Sequence, residues 1–328
     1  MGKLETTYLG LKLKNPIVVA SSGLTGSVDK IKALEEAGAA AVVLKSLFEE
    51  QINSEVSHLI NKDPQNLYPE AEDYIWNYTR QHSVEAHLAL VKQAKQEVSI
   101  PVIASINCVS SKEWTSFAKE FEEAGADALE LNLFFVPTGR KESADSIEKL
   151  YLDVLNKVTA EVKIPVSVKV GFYFTNLISM AEKLMANGAR GITMFNRFYE
   201  PDINLDKLEL SASEVFSVPA DIRRTLRWVG LVSAALPKLE IAASTGIHDG
   251  EAVIKQLLAG AQVAQVCSTI YINGAQVIDG MLKDVEKFMR KWNFKQLDDF
   301  RGRLSYAKIE NPMLYERSQF MKYFSNKI

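Results

Sequence analysis

Eight short apolar runs, each followed by a helix-like segment, constrain this chain more than any other feature. They read PIVVA (16–20), AAVVLK (40–45), PVIASIN (101–107), ALELNL (128–133), PVSVKV (165–170), GITMFN (191–196), LEIAAS (239–244) and QVAQVCS (262–268). The runs are continuously apolar rather than alternating, as parallel strands covered on both faces must be. The intervening segments, such as SKEWTSFAKEFEEAG and DGEAVIKQLLAG, are amphipathic, and the second opens on Asp-Gly and stops on Gly. Gly38, Gly125 and Gly188 each stand where a helix should end in a left-handed residue before the next strand. Eight such units predict an α/β fold of the (β/α)₈ barrel type. A doubly wound sheet is the rival, but SSGLTG after the first run is not a G-x-G-x-x-G turn.

Three segments break the repeat. Residues 47–82 read as a polar insertion after the second strand, and 197–218 as another after the sixth. No linker or composition break divides the rest, so residues 1–304 are expected to form one barrel and 305–328 a C-terminal arm packing on it or on a second subunit. The 328 residues, 47% of them hydrophobic, suffice for a large single core. A net charge of −3 provides no basic field for nucleic acid or an anionic membrane. No apolar run approaches a membrane span, and the first residues carry no signal-like apolar stretch. Two cysteines, Cys108 and Cys267, build no disulfide framework, and a cytoplasmic location is the expectation.

In a barrel the C-terminal strand ends face the site. Here they carry Ala20, Ser21 and Ser22, then Lys45 and Ser46, Asn107, Asn132, Lys169, Asn196, Ser244 with Thr245 and Gly246, and Cys267 with Ser268 and Thr269. Buried amides must be paired, and a ligand rich in hydrogen-bonding edges would pair them. The loops ASTGIHDG and VCSTIYING, which follow the last two strands, are small and precede helices, as a phosphate cup requires. A flat heterocycle with a phosphate tail fits. From the residues alone, flavin mononucleotide (FMN) and pyridoxal phosphate both stay open, the second with Lys45 or Lys169 as its Schiff base.

At these positions the chain resembles the dihydroorotate dehydrogenase family, FMN-dependent barrels of pyrimidine biosynthesis. The likeness is carried by LGLKLKNPIVVASSG, VVLKS, SIN, ELNL, VSVKV, ITMFN, STGI and QVCST in this order, and by QLDDFRGRL, which resembles the family's closing helix. It implies FMN as cofactor, with Lys45 and Asn132 among the catalytic groups and the strand-end residues above as flavin or substrate ligands. The departures fall at the substrate. NLFFVPTG stands where the family has NLSCPN, so Phe134 and Phe135 replace its base, and 47–63 and 217–228 replace two further loops. Thr138, Glu49 and Cys108 are the nearest replacements for the base, and His58 lies in the first insertion, while Phe134 and Phe135 read as a plug or wall at the mouth. The four histidines show no metal-ligand spacing, and His82 and His87 read as helix-surface residues. The resemblance implies a flavoprotein oxidoreductase, a homodimer acting on a small molecule. Hydride would pass between a CH–CH substrate, dihydroorotate or a relative, and flavin N5. An FMN ene-reductase on a different substrate and a non-catalytic flavin-binding barrel remain the alternatives.

Overall fold

A computed structural model describes residues 3–49, 69–107, 111–197, 200–212 and 214–316, with side chains outside 69–80, 111–113 and 212. Eight parallel strands close into a barrel: β3 (Ile17–Val19), β4 (Ala41–Val43), β6 (Val102–Asn107), β7 (Ala128–Asn132), β8 (Val166–Val170), β9 (Gly191–Met194), β12 (Glu240–Ser244) and β13 (Val263–Val266). Pairing of β13 with β3 and of β4 with β6 completes the cylinder. All eight coincide with the apolar runs of the sequence.

Helices α1 (Val28–Glu36), α2 (Pro69–Glu97), α3 (Ser111–Glu123), α4 (Ala144–Glu161), α5 (Leu177–Ala186), α6 (Ile222–Ala235), α7 (Gly250–Ala259) and α9 (Val277–Trp292) surround it, with the short α8 (Ser268–Asn273) after β13. Their apolar stripes supply Ile31, Val91, Trp114, Phe121, Val158, Leu184, Val229 and Leu257 to the shell between strands and helices. Asp249 caps α7 by accepting from Ala252 N at 2.7 Å. Gly38, Gly125 and Gly188 have φ of +107°, +96° and +97°, the positive values expected at those helix ends.

The floor of the barrel is closed by a hairpin, β1 (Thr6–Tyr8) and β2 (Leu11–Leu13). Leu9 and Gly10 form its two-residue turn with φ of 54° and 73°, the left-handed pair that such a tight turn needs. Leucine in that conformation costs about 1–2 kcal/mol. Leu9 is buried, and full burial of a leucine contributes about 1.5–3 kcal/mol, so burial wins. Gly191 makes the seat: a Cβ there would lie 2.8 Å from Leu9 Cδ2.

Three expectations change. The first insertion shrinks from both sides. Leu47–Phe48 is a short strand, β5, paired with β6 because Leu47 is buried, and helix begins at Pro69. The second insertion contains a hairpin, β10 (Pro201–Asn204) and β11 (Glu209–Ala212). The stretch at 296–304 is not a helix. Asp299 accepts from the backbone of Lys295 and Gln296, winding a single 3₁₀ turn over Leu297–Asp299, and Gly302 at φ +66° turns the chain away. From there residues 305–316 lie along α6, with Tyr306 N donating to Gly230 O at 3.0 Å and the Tyr315 ring set over Gly230.

Candidate functional site

Side chains alternate along each strand, so residues two apart share the barrel interior. The topmost inward layer holds Asn132, Lys169, Ser244 and Cys267. The layer beneath holds Ser105, Glu130, Ser167, Thr193 and Gln265, all buried. A polar middle layer in a packed barrel must be satisfied internally. Glu130 Oε2 accepts from Thr193 Oγ1 at 2.9 Å and from Gln265 Nε2 at 2.7 Å. Tyr8 Oη, rising from the floor, lies 3.0 Å from Ser167 Oγ and 3.4 Å from Thr193 Oγ1. Burial pushes the Tyr8 phenol well above its ordinary range, and the Glu130 charge adds to the push. Two oxygens of this layer, Glu130 Oε1 and Gln265 Oε1, are buried without a hydrogen-bond partner.

Above this layer opens a cleft of about 380 Å³, within the range of small-ligand pockets. It brings together Ala20, Ser21, Lys169, Asn196, Ser244, Thr245, Gly246, Cys267 and Ser268 of the strand-end residues. Asn132 sits beside them: its Oδ1 accepts from Asn196 Nδ2 at 2.9 Å, which fixes both amides. Lys169 Nζ is 3.6 Å from Glu130 Oε1. Burial raises the Cys267 thiol above its ordinary range, against the opposing pulls of Ser22 and the Lys169 charge, so it stays protonated at neutral pH.

In the loop after β12, Thr245 and Gly246 have φ of 78° and 76°. A Cβ on Gly246 would fall 2.1 Å from Ile222 N, so only glycine lets this loop press on the start of α6. Thr269 is fully buried, its Oγ1 donating to His248 O at 3.1 Å, which ties the two last loops together.

The remaining strand-end residues stand around this cleft rather than in its lining. Ser46 is buried with its Oγ 2.7 Å from Ser105 Oγ and 3.0 Å from Ser21 Oγ, which places it directly behind Ser21. Ser22 caps the turn Gly23–Thr25 by accepting from Leu24 N at 3.2 Å. Lys45 is half-buried against Gly26, Asn107 ends β6 opposite Phe48, and Glu49 follows β5 half-buried. Thr138 is exposed in the loop after β7. Cys108 and His58 lie outside the described residues.

His82 is exposed, but His87 is not a solvent-facing residue. It packs beside Lys45 and the Ser46 backbone, and burial lowers its imidazole below the ordinary range with help from the Lys45 charge. Phe134 and Phe135 do not line the cleft either. Phe135 packs edge-on against Tyr151 of α4 at 5.1 Å, Tyr151 against Phe174 at 5.4 Å, and both phenylalanines border a separate cavity of about 240 Å³. Phe135 is drawn to α4 because Tyr151 offers it a ring to pack on.

Several residues in and beneath the cleft escaped the sequence reading. Glu130 and Gln265 carried a signal, since each stands two residues before a strand-end group already singled out. Arg197, Phe216, Ser217 and Tyr271 carried none. Arg197 holds the second insertion over the cleft, donating to Glu214 O at 2.7 Å, Val215 O at 3.2 Å and Asp221 Oδ2 at 3.0 Å. Ser217 N donates to Ser268 Oγ at 3.0 Å, and Phe216 stacks on Tyr271 at 5.2 Å. Among the described residues no group of three His, Cys, Asp or Glu could hold a metal, and no helix is long and apolar enough to cross a membrane.

Fold and site together define a (β/α)₈ barrel with a ligand cleft at the C-terminal ends of its strands, where such barrels carry their chemistry. Residues 3–289 match the family model for dihydroorotate dehydrogenase, and the chain belongs to that family of oxidoreductases. It is 28% identical over 309 residues to the catalytic subunit of dihydroorotate dehydrogenase B (NAD(+)) of Thermoplasma volcanium, covering 92% of this chain and 98% of that one. Against a putative dihydroorotate dehydrogenase A (fumarate) of Aeropyrum pernix it is 27% identical over 317 residues, 92% of this chain and 97% of the other. The dihydroorotate dehydrogenase B catalytic subunit of Methanothermobacter thermautotrophicus is 26% identical over 310 residues, 91% and 97% of the two chains.

Proposed function

We propose that this protein is an FMN-dependent oxidoreductase that moves a hydride between a CH–CH substrate, dihydroorotate or a related compound, and the flavin N5. The observation that carries this reading is one cleft whose lining combines the amide of Asn196 and the ammonium of Lys169, with Asn132 bonded to Asn196, and the close-approach loops Thr245–Gly246 and Cys267–Ser268. The orphaned Gln265 Oε1 in the lining is an acceptor that a ring N–H would satisfy. FMN, when bound, supplies a two-electron carrier with an anionic tail.

The chain's own groups do the rest. The small loops at 245–246 and 267–268 would receive the phosphate through backbone amides. Asn132 and Asn196, locked to each other, present fixed donors and acceptors to the ring edge and the substrate. Lys169 would set a positive charge where reduction adds negative charge, and Lys45, beyond the end of β4 and three strands round the barrel from β8, would be a second cation. The neutral Cys267 thiol adds no charge. Phe216 and Tyr271 form an aromatic rim that excludes water. Glu49, Thr138 and Cys108 are the groups that would carry the partner proton. The homodimer implied by the resemblance would meet through the second insertion's hairpin, where Ile203, Leu205, Leu208 and Leu210 are 59%, 79%, 84% and 74% exposed.

A second reading, an ene-reductase acting on an apolar substrate, is favoured by the aromatic cavity of Phe134, Phe135, Tyr151 and Phe174. Purified protein is expected to be yellow and to bind FMN with 1:1 stoichiometry. Anaerobic bleaching by dihydroorotate selects the first reading. Bleaching by NAD(P)H with turnover of an enone selects the second. A yellow protein inert to both is a flavin-binding barrel without this chemistry, and a colourless one that refuses FMN overturns the cofactor assignment.

A further inference from the structure

Glu130 is a carboxylate at the centre of the barrel, 1% exposed, with one oxygen used twice and the other not hydrogen-bonded at all. Thr193 and Gln265 both donate to Oε2, which fixes the plane of the group. That leaves Oε1 facing upward to Lys169 Nζ at 3.6 Å. Lys169 is 7% exposed and lines the cleft. A buried charge without a partner is costly, so the two groups are present as a pair or not at all. The other charged groups around the cleft, Arg197, Glu200 and Glu214, come from the second insertion rather than from the barrel wall. Arg197 is bonded to Asp221 and to backbone carbonyls of that insertion. The pair is therefore the charge the barrel interior itself presents to a ligand.

We propose that Glu130 is a positioning residue for the redox site: it holds the Lys169 ammonium in the mouth and offsets part of its charge, so that the bound ring meets a tethered, half-neutralised cation. The role of Lys169 toward the ring rests on the FMN reading, but the tether does not. Thr193 and Gln265 serve this arrangement by keeping Oε2 occupied, which reserves Oε1 for the lysine.

Glu130→Gln is nearly isosteric, and its amide oxygen still accepts from Thr193 and Gln265, so the layer keeps its hydrogen bonds. Two measurements test the proposal. The first needs no flavin: carbamylation of individual lysines by cyanate, followed by mass spectrometry of the full-length protein. Lys169 is expected to react roughly tenfold faster in E130Q than in the parent, the reactivity of an amine freed from about 1.4 kcal/mol of holding energy, with Lys45 as an unchanged internal reference. Equal rates at Lys169 overturn the tether. The second uses FMN-loaded protein and compares dissociation constants of oxidised and reduced FMN. Removing the offsetting charge favours the reduced, more negative form, and the ratio is expected to move toward it by roughly tenfold. In the K169M background E130Q is expected to move the ratio little. An equal shift in both backgrounds shows that Glu130 acts without Lys169 and overturns the proposal. If E130Q does not fold, E130D keeps the charge on a shorter arm and is expected to raise Lys169 carbamylation by a smaller factor; no rise overturns the tether. Parent protein that binds no FMN refutes the cofactor reading, and the carbamylation rates still decide the role of Glu130.

Discussion

Gly246→Ala tests whether the loop after β12 is shaped by a contact that only glycine permits. The residue has φ +76°, and a methyl group there would meet Ile222 N at 2.1 Å, Asp221 C at 2.7 Å and Ile222 Cα at 2.8 Å. All three are backbone atoms, so no side-chain rotation relieves the clash. Left-handed backbone for alanine costs about 1–2 kcal/mol by itself. Gly10 isolates that cost, because its φ is +73° and nothing lies within 4 Å of its would-be Cβ. Gly10→Ala should therefore lose about 1–2 kcal/mol, and Gly246→Ala about 2 kcal/mol more as the loop retreats from α6. At about 1.5 °C per kcal/mol for a chain of 328 residues, Gly246→Ala should melt about 4–6 °C below the parent and Gly10→Ala about 1.5–3 °C below it. Differential scanning calorimetry gives both values. The retreat also moves the anion end of the cleft, so FMN affinity, read by quenching of flavin fluorescence, should fall in Gly246→Ala by roughly tenfold or more, the loss of one charge-assisted hydrogen bond, and hold in Gly10→Ala. Equal melting temperatures for the two variants would refute the close-contact argument, and unchanged affinity in Gly246→Ala would separate the loop from ligand binding.

Four further outcomes are expected. Tyr8 is protonated in both folded and unfolded chains below its ordinary value of 10.0, and its folded value is raised. Above pH 10 the unfolded chain releases a proton that the folded one keeps, so stability falls as pH rises; urea melts of Tyr8→Phe should show a shallower alkaline loss than the parent. Phe216→Ala removes one ring of the stacked rim and should raise the FMN dissociation constant about 2–10-fold, measured by fluorescence titration, with an unchanged constant excluding the rim from binding. Gly230→Ala would set a methyl group against the Tyr315 ring, so limited proteolysis should cut beyond Leu304 faster than in the parent while the barrel resists. Replacing Leu208 and Leu210 with aspartate should shift the light-scattering mass from dimer to monomer if the hairpin is the subunit contact, and an unchanged mass would move that contact elsewhere.

Much of the site was legible residue by residue. Asn132, Lys169, Asn196, Ser244 and Cys267 end strands, and strand ends are readable because continuous apolar runs stop abruptly at polar groups. Glu130 and Gln265 were equally available: a charge and an amide inside such runs, two residues before the rim, must point inward with it. Lys45 and Ser46 show the limit. Their place at a strand end was legible, but not that the chain bends between β4 and β5, tucking Ser46 behind Ser21 and leaving Lys45 beside His87.

The closing helix expected at 296–304 failed for a local reason, since Asp299 captures backbone amides and winds the chain into one turn. The apolar repeat by itself determined a closed parallel barrel, because strands buried on both faces have few other ways to cover themselves. It also determined which strand ends surround the mouth, because alternation along a strand is a local property. What lies over that mouth was decided only in three dimensions. Arg197, Phe216 and Ser217 reach the cleft through bonds to Glu214, Asp221, Tyr271 and Ser268, contacts between segments up to 55 residues apart that no local periodicity encodes.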